Sequence, residues 1–329
     1  MSSSLTALET YLGPIKQMLD REGVSEISIN RPGEAWIELR GDMHHESVET
    51  LTLEHLKALS KLIAQSTSQM ISEEHPLLSA TLPGGFRVQV VFPPACEDGT
   101  ICFSIRKPSA LNFDLDQYEA MGAFQNTAVV EQENQDNVKL KRLLNEGKVK
   151  DFLDQAVKLK RNIIVSGGTS TGKTTFLNAA LKSIPLEERL ITIEDAREVV
   201  LDRHDNKVHL LVSKGGQGRA KVTTQDLIEA CLRLRPDRII VGELRGAEAF
   251  SFLRAINTGH PGSIASIHAD TPRLALEQLV LMVMQAGVAM TKEEILGYVR
   301  NVIEVIVQLR RGDKGRRFVS EIYFNPIGG

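Results

Sequence analysis

The stretch Ile163-Ile164-Val165-Ser166-Gly167-Gly168-Thr169-Ser170-Thr171-Gly172-Lys173-Thr174-Thr175 constrains this chain more than any other. Its apolar opening predicts a buried parallel strand, and Gly167 to Thr174 reads G-x-x-x-x-G-K-T, a phosphate-binding loop. Glycines there let the backbone take positive φ and aim its N–H groups at phosphate oxygens. Phe176 to Lys182 continues as a helix whose positive end faces the same anion. Gly167, Gly168, Thr169, Ser170, Thr171, Gly172, Lys173, Thr174 and Thr175 are thus candidate nucleotide ligands. Lys173 is placed to reach the β- and γ-phosphates, and the Thr174 hydroxyl to ligate Mg²⁺.

Downstream, apolar runs alternate with helical periods. Leu190–Ile193, Val208–Val212, Arg238–Val241 and Ser263–Ile267 read as strands. Thr224–Leu234, Ala247–Asn257 and the segment opened by Thr271-Pro272 read as helices. That alternation implies a mainly parallel sheet covered on both faces, an α/β class. Ligands of such sheets sit at the carboxyl ends of the strands. Glu194, Asp195, Glu243 and His268 each stand at such an end, so all four are expected beside the phosphates. Glu243 occupies a Walker B position, able to hold the Mg²⁺ shell or polarise the attacking water. The aspartate usual one place earlier is replaced by Gly242, which leaves Glu194 or Asp195 to share the metal and water duties. His268 and, less directly, His260 are imidazoles able to donate to the γ-phosphate.

The first third has a different texture. Leu5–Asp20 and Leu53–Gln69 show helical spacing, and short alternating runs (Glu26–Asn30, Ala35–Leu39, Phe86–Phe92, Ile101–Arg106) read as strands joined by glycine and proline turns. This predicts a smaller α+β domain with a mixed or antiparallel sheet. Arg87 and Arg106 lie near strand ends. His44, His45 and Glu46 read as a loop cluster rather than a metal site. Lys107-Pro108-Ser109 closes the module, Leu115–Phe124 reads as a short helix, and Gln125–Asn137 as a polar, mobile connection. Lys139–Lys160 holds seven basic residues in a helical pattern, suited either to an anionic membrane or to a solvated helix face. The expected division is 1–110, a linker at 111–150, and 151–329.

With a formal net charge of −3, bulk or sequence-specific nucleic-acid binding is not expected. Cys96, Cys102 and Cys231 are an odd count without C-x-x-C spacing, which argues against a disulfide framework or zinc site and fits a reducing cytosol. No apolar run is long enough to span a bilayer.

Taken together, Gly167–Thr174, Ile193-Glu194-Asp195, Gly242-Glu243-Leu244-Arg245-Gly246 and the run from Thr258-Gly259-His260 to His268-Ala269-Asp270-Thr271 resemble the four motifs of the secretion and pilus ATPase superfamily. The closest likeness is the traffic-ATPase branch of VirB-type type IV secretion systems. Ser28–Gly33 and Gly85–Gln89 resemble that family's amino-terminal domain, so the likeness spans nearly the whole chain. It implies a RecA-like P-loop core and ATP hydrolysis with Mg²⁺, with Lys173, Glu194, Glu243 and His268 catalytic and Thr174, Glu194, Asp195 and Glu243 around the metal. Arg87 and Arg106 match arginines that reach the phosphates. The family's subunits form a homohexamer with nucleotide between the two domains. It works with other secretion ATPases and inner-membrane components on the cytoplasmic face of the inner membrane, powering pilus assembly and transfer of protein or DNA, as in conjugation. A nucleotide-gated scaffold, or a type II secretion or type IV pilus motor, is the alternative. The linker is long, as in a subgroup whose amino-terminal domain is swapped between subunits.

Overall fold

A computed structural model describes residues 3–108, 113–125, 127, 134–212 and 218–326. The chain begins with α1 (Ser3–Leu19), then β1 (Val24–Ile29), β2 (Glu34–Leu39), β3 (Asp42–Ser47), α2 (Leu53–Ser66), β4 (Leu77–Thr81), β5 (Arg87–Val91) and β6 (Cys102–Arg106). These strands form a six-stranded sheet in the order β3-β2-β1-β6-β5-β4, antiparallel throughout. The helices bury Leu8, Leu12, Ile15, Leu56, Leu59 and Ile63 against Ile27, Ile29, Val90 and Phe103. Each such side chain contributes about 1.5–3 kcal/mol of burial. Strand β3 departs from the sequence expectation. His44, His45 and Glu46 lie on β3 rather than in a loop, with His45 Nε2 3.3 Å from Glu34 Oε2.

Between the sheets, α3 (Leu115–Ala120) has no buried residue. Most of the polar stretch Gln125–Asn137 lies outside the described residues. Next come α4 (Gln135–Asn145) and α5 (Val149–Lys158). Their basic, amphipathic sequence is a solvated helix pair. Its apolar face, with Leu140, Phe152, Ala156 and Val157, is buried in the core of the second sheet.

That sheet has seven strands: β7 (Ile163–Gly167), β8 (Leu190–Glu194), β9 (Lys207–Leu211), β10 (Arg238–Val241), β11 (Ile264–Ile267), β12 (Val305–Arg311) and β13 (Arg317–Phe324). The order is β13-β12-β7-β11-β10-β8-β9. Every pair is parallel except the β12–β13 hairpin. Successive residues of a strand face opposite ways. Ile164, Ile191, Ile239 and Ala265 pack into one core, and Ile163, Leu190, Ile240 and Ile264 into the other. Helices α6 (Lys173–Leu181), α7 (Thr224–Cys231), α8 (Glu248–Asn257), α9 (Pro272–Gln285) and α10 (Lys292–Val302) complete the layers. Helix α7 is capped by Thr223, one residue before the expected Thr224. Helix α9 starts with the expected Thr271 cap and N1 proline.

The two sheets meet through polar groups. The fully buried Arg189 donates from Nη1 to Asn30 Oδ1 at 2.6 Å and to Asn206 Oδ1 at 2.5 Å, and from Nε to the Leu234 carbonyl at 2.9 Å. Arg235 pairs with Glu38 at 2.6 Å. The loop after β5 runs along β9: the Leu211 amide donates to the Ala95 carbonyl at 2.9 Å, and Cys96 bridges Leu210.

Candidate functional site

Two of the phosphate-loop glycines, Gly167 and Gly172, are sterically dictated. A Cβ on Gly167 would stand 2.4 Å from Thr171 Oγ1, and Gly172 has φ +91°. Ser170 also takes positive φ, at 61°. The loop leaves buried β7 and opens α6, so the free amides of the first helical turn face a cleft of about 400 Å³. Thr169 to Thr175 line that cleft together with Glu194, Asp195, Glu243 and His268. The convergence expected from strand ends alone is therefore what the chain adopts.

The side chains form a connected row. The Lys173 ammonium lies 3.0 Å from the Gly167 carbonyl and 3.3 Å from His268 Nδ1. The same ammonium is 3.4 Å from His268 Nε2, which itself lies 2.9 Å from Glu243 Oε1. Glu243 Oε2 accepts from Arg245 Nη2 at 2.7 Å, and Arg245 Nη1 reaches Asp195 Oδ2 at 2.5 Å. Burial pushes the Glu243 carboxyl up, but Arg245, His268 and Lys173 together hold it below the ordinary carboxylate value. Burial lowers the Lys173 ammonium, against the attraction of Glu243. The row thus brings an ionised carboxylate, an imidazole and two cations to one cleft, where field strength exceeds that in water.

Glu194 is placed differently from the other acids. It is 4% exposed, and its oxygens are engaged. Oε1 accepts the amides of Glu198 and Val199 at 2.9 and 2.6 Å, and Oε2 accepts the Thr192 hydroxyl at 3.0 Å. Thr192 has one proton, given to the carboxylate, so its 2.8 Å contact with His209 Nδ1 is a bond donated by the histidine. Glu194 thus fixes the loop after β8. Burial raises its carboxyl, but His209, the two amides and Thr192 outweigh that and hold it below 4.5. A depressed carboxyl stabilises the fold above the unfolded value and loses that contribution as pH falls through the folded one. Glu194→Gln is expected to cost about 1–3 kcal/mol at pH 7. It should also flatten the loss of stability on going below pH 4.5. Urea midpoints at pH 7 and pH 4 measure both effects; a variant as acid-sensitive as the parent would contradict the assignment.

Gly242 stands where a Walker B aspartate is usual. Its amide donates to the Ile193 carbonyl at 2.9 Å, and a Cβ there would lie 3.4 Å from Glu194 Cγ. Strand β8 therefore brings its own carboxylate beside the vacant position.

Three expected ligands lie elsewhere. Arg87, Arg106 and His260 line a second cavity of about 560 Å³, together with Glu26, Arg233 and Arg235. Within one chain Arg87 and Arg106 line this second cavity and not the cleft at the phosphate loop. The antiparallel pairing Arg87↔Arg106 brings the two arginines together, but the contact of the sheets through Arg189 and β9 turns them from the phosphate loop. His260 is lowered by burial and donates from Nδ1 to the Pro236 carbonyl at 2.8 Å.

Sequence reasoning missed Glu198, whose Oε2 accepts the Thr174 hydroxyl at 3.1 Å, and Arg317, which reaches the cleft from β13. Arg245 stood inside a quoted motif but without a role. Nothing in the local sequence marks Arg317.

The family model described as "Type II/IV secretion system protein" matches residues 9–314. The type IV secretion system protein VirB11 of Bartonella quintana is 39% identical over 97% of this chain and 93% of its own length. The type IV secretion system protein PtlH of Bordetella pertussis is 39% identical over 97% of this chain and 95% of its own. The crystal structure of the VirB11 ATPase of the Brucella suis type IV secretion system, in complex with sulphate, superposes with a TM-score of 0.92 at 38% identity, covering 97% of this chain and 98% of that one.

Proposed function

This chain belongs to the Type II/IV secretion system protein family, and from that premise we propose that its ATPase cycle opens and closes a clamp between neighbouring subunits of a ring. The protein is a type IV secretion ATPase. The observation that supports the clamp is the row Lys173–His268–Glu243–Arg245–Asp195 at the mouth of the phosphate loop.

In this reading the seven-stranded sheet is a RecA-like core, with β7 between β12 and β11 and the active side chains at the ends of β8, β10 and β11. It spans 151–329, joined through a linker at 111–150 to an amino-terminal domain at 1–110. The loop amides and Lys173 hold the β- and γ-phosphates. Glu243, kept ionised by its cationic neighbours, accepts a hydrogen bond from the attacking water. His268 presents its second nitrogen to Glu243 and rotates toward the γ-phosphate when one is present.

Mg²⁺ demands hard oxygen ligands and keeps several waters. The Thr174 hydroxyl with the Glu243 and Asp195 carboxylates fits that demand. Glu194, its oxygens engaged by amides and a hydroxyl, orders the loop carrying Asp195 rather than meeting the metal. The ion supplies charge neutralisation of the β- and γ-oxygens.

The separation of Arg87 and Arg106 from their own phosphate loop supports action in trans. The second cavity of one copy would close over the nucleotide of the next, as in a homohexamer, with His260 at its rim. Loss of the γ-phosphate removes the anion these arginines grip and frees the interface to move. Work would then pass to other secretion ATPases and inner-membrane components, the ring sitting peripherally on the cytoplasmic face. No helix among the described residues is long and apolar enough to cross a membrane.

A mixing experiment tests the arrangement. Lys173→Ala and the double variant Arg87→Ala/Arg106→Ala should each be inactive alone. Mixed in equal amounts, one interface in about four would join an intact phosphate loop to intact arginines, so phosphate release should recover to about a quarter of wild type. No recovery after subunit exchange would mean the arginines act in cis or not at all.

A further inference from the structure

The loop between Asp195 and Val200 touches both the phosphate loop and the six-stranded module, and the row of catalytic groups uses neither contact. At one end Glu198 Oε2 accepts the Thr174 hydroxyl at 3.1 Å. The same residue's carbonyl accepts Asn178 Nδ2 of α6 at 3.0 Å, and Asn178 Oδ1 accepts the Val200 amide at 2.9 Å. Helix α6 and this loop are therefore stitched together at three points. At the other end Arg197 Nε donates to Glu97 Oε1 at 2.9 Å, and its Nη1 donates to the Val199 carbonyl. Glu97 follows Cys96 and Ala95, the residues that pair with Leu210 and Leu211 of β9. The Val212 amide returns to the Glu194 carbonyl at 3.0 Å. Beneath, the Glu194 carboxylate holds the Glu198 and Val199 amides, so the loop moves as a body rather than residue by residue.

We propose that residues 195–200 are a relay that carries nucleotide occupancy from Thr174 to the amino-terminal module, with Glu198 as the receiving end and the Arg197–Glu97 pair as the delivering end. The inference rests on nucleotide binding at Gly167–Thr175. A hydroxyl that offers its lone pair to a cation keeps its proton for a carboxylate, and the added charge strengthens that bond. Loading the site thus tightens Glu198 on Thr174 and fixes the loop. Fixing the loop holds Arg197 on Glu97, which steadies the 93–101 segment against β9. By linkage, what ordering that segment does to the nucleotide the nucleotide does to the segment. Arg197 and Glu97 act as positioning residues, since neither lines the cleft.

Amide hydrogen exchange on the full-length protein, with and without Mg²⁺ and a non-hydrolysable ATP analogue, reads the relay directly. In wild type the analogue should slow exchange at 167–176 and also at 95–101. In Arg197→Gln and in Glu97→Gln the first protection should persist while the second falls by about two- to fivefold, the scale of a partly exposed ion pair. The conservative variant Arg197→Lys, which keeps a cation beside both Glu97 and Glu194, should retain more of it than Arg197→Gln. Distal protection unchanged in both single variants, or no better kept in Arg197→Lys than in Arg197→Gln, overturns the relay. Absence of protection at 167–176 in wild type overturns the nucleotide reading, and the relay with it.

Discussion

Replacing Lys173 by alanine is expected to lower steady-state phosphate release by about 10²–10³-fold while leaving the thermal midpoint close to that of the parent. The asymmetry follows from where the ammonium sits. It is bonded to the Gly167 and Gly168 carbonyls and to His268, and burial lowers its pKa. The folded protein gains little from an ammonium that water would solvate better. A transition state spreading negative charge over the γ-phosphate gains much from it, because the group is already in place and no solvent need reorganise. Each tenfold in rate is about 1.36 kcal/mol of barrier, so the loss corresponds to about 3–4 kcal/mol of transition-state stabilisation. Phosphate release within tenfold of wild type, from a variant shown to be folded by its melting curve, would remove Lys173 from the catalytic row.

Arg189→Met should do the opposite: a large loss of stability from a site remote from the cleft. The guanidinium is fully buried and bonded to Asn30, Asn206 and the Leu234 carbonyl. The backbone amide of Arg189 is itself held by Asp237 at 2.7 Å. Methionine fills much of the volume but takes the donor from Asn30 Oδ1 and from the Leu234 carbonyl, and leaves Asn206 Oδ1 with Asn30 Nδ2 alone at 3.1 Å. Leaving a buried acceptor without its donor costs about 1–3 kcal/mol each, so two such acceptors cost about 2–6 kcal/mol. At about 2 °C per kcal/mol for a long chain, that is a drop of roughly 4–12 °C in thermal midpoint. The check is differential scanning calorimetry, in which a fall of under 2 °C would show the network to be redundant. Arg189→Lys should recover only part of the loss, since one ammonium cannot span the two asparagines and the carbonyl in the guanidinium's fork.

The two sites differ in how far local sequence announced them. The cleft was legible because its chemistry lies at fixed offsets from recognisable strands. Apolar runs located β7, β8, β10 and β11, and the next one or two residues of each had to face the ligand. The joint was not legible. Asn30, Arg189 and Asn206 are far apart in sequence, and each taken alone is an ordinary turn residue. Their association depends on how two sheets dock, which no period of 2 or 3.6 encodes. The same reason hid the true neighbours of Arg87 and Arg106. Their strands were readable, but their pairing and the direction in which the sheet faces were not. Strand β3 escaped because Asp42-Met43-His44-His45-Glu46-Ser47 is almost wholly polar, an edge strand with both faces wet. Glu194 was read as a catalytic acid from its position, and the two amides four and five residues later that its carboxylate also accepts were not readable from that position.

The pairing of Ala95 and Cys96 with β9 has a consequence for dissecting this protein. Strand β9 is the last rung of the seven-stranded ladder, and its outer row of peptide groups is satisfied in part by a loop from the other module. A fragment comprising only the carboxy-terminal half would leave that row open to water, a template on which foreign strands can stack. The amino-terminal module thus covers part of an exposed sheet edge as well as carrying Arg87 and Arg106, and its removal should lower solubility as well as activity.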